Sequence, residues 1–194
     1  MRPPAALAHR GLLLAGIVLL IALAATVAII RKGSPPPTRL ASPLRTIADR
    51  FDFLSRADSN RCSLDPEGLM RMQPGMRLQG SCCRPMDRGR YVDQLREVRR
   101  FSAVSAIPPD PYDVSVHLAQ TLVRYDRDVS LSPQGQHDYD EAVRLSHEHG
   151  PCCCHCWRWT AFEGQAKFLL TRLDYSPRLV ALVWGLEDGC GGAE

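Results

Sequence analysis

At 194 residues and a formal net charge of +3, the chain is long enough for one domain with a real core. Four of its 24 basic residues and none of its 21 acidic ones fall within the first 32 positions, which leaves 20 basic against 21 acidic beyond them. A folded part so close to neutral lacks the basic excess of a nucleic-acid binder, and that class is set aside despite the run Trp157-Arg158-Trp159.

From Gly11 to Ile30 no residue is charged or strongly polar, and this length of helix spans the hydrocarbon core of a bilayer. Arg2 and Arg10 precede the run as in a signal sequence, and Ala22-Leu23-Ala24 offers a small-residue cleavage pattern. The apolar run continues to Ile30 before meeting Arg31 and Lys32, which favours an uncleaved signal-anchor over residues 1–32. Positive charge flanks both sides, so the extracytoplasmic placement of the C-terminal part rests on the segment's N-terminal position. Residues 33–41, with Pro35-Pro36-Pro37, read as a stiff extended spacer.

The domain is expected over 42–194, and its pattern is all-α. Ser42-Pro43, Ser132-Pro133 and Ser176-Pro177 each precede a segment of helical periodicity, serine as cap and proline in the first turn. Leu44, Ile47, Ala48, Phe51 and Leu54 form one apolar stripe, and Tyr91, Val92, Leu95, Val98 and Phe101 a second. Asp113 is placed as the cap of a third helix carrying Val114, Leu118, Leu122 and Tyr125; Tyr139, Ala142, Val143 and Leu145 mark a fourth that ends near Gly150. Asn60 to Arg84 reads as one long irregular loop containing cysteine and methionine.

Chemistry concentrates at Pro151-Cys152-Cys153-Cys154-His155-Cys156, four thiols and an imidazole in five residues. Clustered thiolates and imidazole suit soft or borderline ions such as Cu(I) and Zn(II). A helix from about Cys152 to Leu173 puts Cys152, His155, Trp159, Phe162, Ala166, Leu169 and Leu173 on one inward stripe. On that helix Cys152, Cys153 and Cys156 converge, Cys154 points away, and the helix N-terminus lowers the thiol pKa values.

Adjacent thiols cannot surround an ion alone, so Cys82 and Cys83 at the end of the long loop are expected to close the site. Met70, Met72 and Met76 are soft thioethers nearby and join the candidate set, with gap-filling as their ordinary role. Their spacing resembles the methionine motifs of extracytoplasmic copper proteins. His147 and His149 suit a helix C-terminus, and His117 a helix face.

Three other readings compete. Eight cysteines in an oxidising compartment allow four structural disulfides, for which Cys62 and Cys190 are further partners. Zinc or an iron–sulfur cluster fits the ligand types but not the usual spacings. Cys153-x-x-Cys156 is the spacing of a thiol–disulfide oxidoreductase, without the βαβ context. Gly189-Cys190-Gly191-Gly192 is neither followed by a helix nor joined to a P-loop lysine and reads as a flexible tail. No catalytic residue is assigned.

Pro151-Cys152-Cys153-Cys154-His155-Cys156 resembles the Pro-Cys-Tyr-Cys-Gly-Cys signature of a family of exported bacterial proteins of unknown function, sharing P-C-x-C-x-C. Cys153 stands where that signature has Tyr and His155 where it has Gly. The likeness covers about the last 80 residues, and it implies an exported bacterial setting. The expectation is a membrane-anchored helical domain that binds a soft metal, Cu(I) foremost, and sequesters it or exchanges it with a donor or acceptor protein.

Overall fold

Among the described residues, six of the seven α-helices open on a side chain that accepts a backbone N–H three residues on: Thr46, Asp65, Asp87, Ser115, Ser132 and Ser176. The seventh follows Cys156, whose side chain makes no such bond. These elements come from a computed structural model that describes residues 46–192. In chain order they are α1 (Ile47–Leu54), α2 (Pro66–Arg71), β1 (Arg77–Gln79), α3 (Arg88–Val98) with a 3-10 turn over Arg99–Phe101, β2 (Asp113–Ser115), α4 (Val116–Asp128), α5 (Pro133–Leu145), α6 (Trp157–Arg172) and α7 (Pro177–Leu186). The class is helical. The expected membrane segment 11–30, the expected spacer and the expected helix start at Ser42-Pro43 lie outside the described residues, among which no helix is long and apolar enough to cross a membrane.

The centre is the crossing of α4 with α6. A Cβ on Gly164 would stand 1.9 Å from the Leu122 carbonyl oxygen, so only glycine lets the two backbones meet there. Helix α6 is apolar on two flanks. Trp157 and Ala161 join Leu69, Leu78, Val114, Val116 and Val123 in one apolar cluster; Phe162, Ala166 and Leu169 join Val98, Phe101, Val180, Val183 and Trp184 in another. Each buried Leu, Val or Phe contributes about 1.5–3 kcal/mol. Leu54, Tyr91, Leu95 and Tyr112 form a third cluster under α1 and α3.

Two expectations change here. Asp113 does not cap α4: Ser115 does, and Asp113 begins β2, which pairs antiparallel with β1 in the register Arg77↔Ser115, Leu78↔Val114, Gln79↔Asp113. Its carboxylate accepts from Arg50 and from Arg77, while Asp110 accepts from Arg50 at 2.6 Å and from the Tyr91 hydroxyl at 2.8 Å. Burial among guanidinium groups outcompetes capping. The stretch from Asn60 to Arg84 is also not one irregular loop, since α2 and β1 lie within it. Both are too short to leave a periodic signal.

Candidate metal centre

Four chain segments meet at one end of α6: the turn carrying Cys62, the loop carrying Cys82 and Cys83, the run Pro151–Cys156, and the chain at Cys190. Trp157 N–H donates to the Leu64 carbonyl at 2.9 Å, fixing the first segment to the start of α6. Asn60, 1 % exposed, donates to the Gly80 carbonyl at 2.8 Å and accepts from the Trp157 indole at 3.1 Å, so one amide joins three of the segments. Gly80 sits at φ +91°, and a Cβ there would strike the Ala57 carbonyl.

The fourth segment is held equally firmly. Cys82 N–H donates to Gly189 at 3.1 Å, Arg84 N–H to Cys190 at 2.8 Å, and Gly192 N–H to Pro85 at 2.9 Å. Gly191, at φ +75°, passes so close to Arg84 and Ser81 that a side chain cannot fit. The expected flexible tail is therefore an ordered closing strap through Gly192, and it brings Cys190 into the site.

The result is a single cluster of all eight cysteines, seven of them linked by sulfur–sulfur contacts. Sulfur–sulfur separations are 2.8 Å for Cys62–Cys83, 3.1 Å for Cys62–Cys154, 3.5 Å for Cys82–Cys83 and for Cys82–Cys190, and 3.7 Å for Cys83–Cys153. Cys153–Cys190 is 2.9 Å and Cys152–Cys190 3.6 Å, and Cys156 stands beside Cys152 and Cys154. Three thiol triads have all their sulfurs within 4.8 Å: Cys62/Cys82/Cys83, Cys83/Cys153/Cys190 and Cys152/Cys153/Cys154. They share corners. Such an array can hold a metal ion, and it offers twice the ligands of one tetrahedral zinc.

Cys152, Cys156 and Cys190 are buried at the floor, whereas Cys83 and Cys153 are exposed at the mouth. Asp188 lies beside Cys152 and Cys190; its carboxylate accepts from Arg90 at 2.5 Å and from the Cys190 N–H at 3.0 Å. Beneath the floor, Arg158 is fully buried. Its guanidinium donates to the carbonyls of Glu187 and Pro111, both at 2.9 Å, and lies over the rings of Trp157 and Phe162. Burial works against its charge, whereas negative charge on the sulfurs of Cys82, Cys152, Cys190 and Cys156 works for it.

The Pro151–Cys156 run departs from expectation in three ways. It is a succession of bends, with α6 starting only at Trp157, because Pro151 and the ties to Leu64 and Asn60 shape it before a helix can begin. Without the helical turn, Cys154 faces Cys62 instead of pointing away. His155 is exposed, its ring stacked on Trp159 at 3.9 Å, and is not on an inward stripe.

Thiol acidity also reverses. For Cys82 the hydrogen bond with Cys190 favours the thiolate, yet burial and neighbouring Cys83 push the thiol up to about 11. For Cys152 the bond with Cys156 acts likewise, and Cys190 and burial push the thiol up to about 12. Burial and Cys62 raise Cys83 and Cys154 further. The backbone N–H of Arg158 in the first turn of α6 favours the Cys156 thiolate, but Cys152 and burial outweigh it and raise that thiol too.

Cys82, Cys83, Cys152, Cys153 and Cys156 thus come together, joined by Cys154, against the expectation that it points away, and by Cys62 and Cys190. The sequence signal for those two was only their thiol chemistry; nothing in it marked Arg158 or Asn60. Met70 and Met72 pack against the apolar cluster under α2, and Met76 is 45 % exposed. His147 and His149 are exposed after α5, and His117 is exposed on α4. No family model, curated protein or solved structure matches the chain.

Proposed function

We propose that this domain binds soft, univalent metal, Cu(I) foremost, in a polynuclear thiolate cluster, and that it sequesters the metal or exchanges it with a donor or acceptor protein. The observation that carries the reading is the sharing of thiols: Cys83 has three sulfur neighbours, as does Cys190. Structural disulfides consume thiols in separate pairs. A soft cation with bridging thiolates uses every sulfur of an interlocked array. Burial at the floor protects bound metal from water, and exposed Cys83 and Cys153 give a thiol of another protein a point of attack for transfer.

The setting belongs to the same proposal. The apolar segment 11–30 supports a membrane anchor with the domain on the extracytoplasmic side, and the likeness to Pro-Cys-Tyr-Cys-Gly-Cys proteins supports a bacterial exported origin.

The test is Cu(I) competition against a chelator with full-length protein purified anaerobically. Either Cys82→Ser/Cys83→Ser or Cys152→Ser/Cys156→Ser should weaken binding strongly, and combining the two pairs should add little, because both belong to one site. Undiminished binding in both variants, or all eight thiols found oxidised in freshly isolated protein, would turn the reading to a disulfide-stabilised domain. Stoichiometric zinc or iron with sulfide in the isolated protein would replace copper.

A further inference from the structure

Arg158 is the largest charged side chain in the core, with 0 % of its surface exposed. A buried cation is costly unless a counter-charge stands close. Among the described residues no carboxylate pairs with it: its terminal nitrogens donate to main-chain carbonyls, and its Nε has no partner. Glu187 offers Arg158 its carbonyl and accepts from Gln165 at 2.5 Å through Oε2; its carboxyl feels the guanidinium, but burial outweighs that and favours the neutral acid, which supplies no counter-charge. The guanidinium stands in the first turn of α6, two residues after Cys156, and its Nη2 packs against Gly189, the chain neighbour of Cys190, so the thiols of Cys82, Cys152, Cys156 and Cys190 lie within its electrostatic reach. Neutral thiols or disulfides leave that cation uncompensated; thiolates do not.

Resting on the proposed metal site, we infer that Arg158 is a specificity-determining counter-ion: it selects a metal–thiolate cluster of net negative charge, and thereby univalent over divalent ions. The charge of a cluster is that of its metals less that of its thiolates. Bridging thiolates outnumber the univalent ions they hold, so a Cu(I) or Ag(I) cluster retains negative charge. The same number of divalent ions on the same sulfurs cancels twice as much. A fixed positive charge at a dry floor therefore favours the univalent case, and the effect is strong because water does not screen it.

Loading involves no electron transfer: each thiol exchanges its S–H bond for an S–metal bond, the proton leaves to solvent, and the metal keeps its oxidation state. Arg158 touches no metal and acts through the four thiolates above it as a positioning residue.

The experiment uses reduced full-length protein under anaerobic conditions, titrated separately with Ag(I) and Cd(II), in wild type, Arg158→Met and Arg158→Lys. Loss of the charge should weaken Ag(I) by about tenfold or more while moving Cd(II) by less than about threefold. Arg158→Lys should recover most of the Ag(I) affinity. A purely structural role would weaken both metals alike, and that result, or no change in either, would overturn the inference while leaving the metal site standing. Wild type that binds neither ion would instead overturn the site itself.

Native mass spectrometry of loaded wild type supplies a second reading that survives misfolding of the variants. Protons lost should exceed the positive charges gained on Ag(I) loading. Equal numbers, meaning a neutral cluster, would overturn the inference.

Discussion

The indole N–H of Trp157 donates to the Asn60 side-chain oxygen at 3.1 Å, and the Asn60 amide nitrogen donates onward to Gly80 at 2.8 Å. Two residues 97 positions apart thereby fix the loops that bear Cys62 and Cys82 against the first turn of α6. Replacing Asn60 with Ala strands a buried N–H and a buried carbonyl, a loss of about 2–4 kcal/mol. Urea unfolding should show it as a lower midpoint, and Cu(I) affinity should fall in the same variant although no thiol is removed. An unchanged midpoint would mean that water replaces the amide.

Cys62 and Cys190 complete the thiol network, so each should count toward capacity. Cys62→Ser and Cys190→Ser should each lower the number of Cu(I) ions held per chain, as read by metal analysis after gel filtration. Full capacity in both would restrict the site to Cys82, Cys83 and the Cys152–Cys156 run.

His155 stacks on Trp159 at the surface. Its replacement by Ala should leave Cu(I) affinity and capacity unchanged in the chelator competition. A clear loss would place the imidazole back among the ligands.

Burial raises the Glu187 carboxyl from 4.5 to about 8 against the opposing bond from Gln165 and the charge of Arg158. The folded state therefore holds a proton that the unfolded chain releases. Its contribution to stability is complete below pH 4.5 and is lost as pH rises through 8, at a rate of at most about 1.4 kcal/mol per pH unit. Metal-free protein should lose stability across that window in denaturant titrations, and Glu187→Gln should flatten the profile. A wild-type profile as flat as that of the variant would place a charged carboxylate beside Arg158.

Gly164→Ala forces a Cβ to within 1.9 Å of the Leu122 carbonyl oxygen where α4 crosses α6. Two backbones cannot yield as a side chain does, so the change should cost at least about 3 kcal/mol, read as a drop in thermal midpoint. A midpoint within a degree or two of wild type would show that the crossing opens freely.

Helices were legible wherever a cap and a long stripe coincided, as at Ser132-Pro133 and Ser176-Pro177 or along Tyr91, Leu95 and Val98. The short elements α2, β1 and β2 were not, since three to six residues complete too little of any period. At the site, residue type carried the thiols correctly, but extrapolating the α6 period backward through Cys152 misdirected Cys154 and His155. That run is shaped by Asn60 and Leu64, which are distant in sequence. Arg158 was hidden because a lone arginine between two tryptophans has the same pattern on a surface as in a core; only the fold places it beneath sulfur.

The thiols that touch are far apart along the chain: Cys62 and Cys154 by 92 positions, Cys82 and Cys190 by 108. Closing such loops is entropically slow and is completed only when the helices have docked. The ultraviolet charge-transfer band of a shared Cu(I)–thiolate cluster would thus serve as a clock for global refolding, silent while individual helices form and rising only with the last long-range closure.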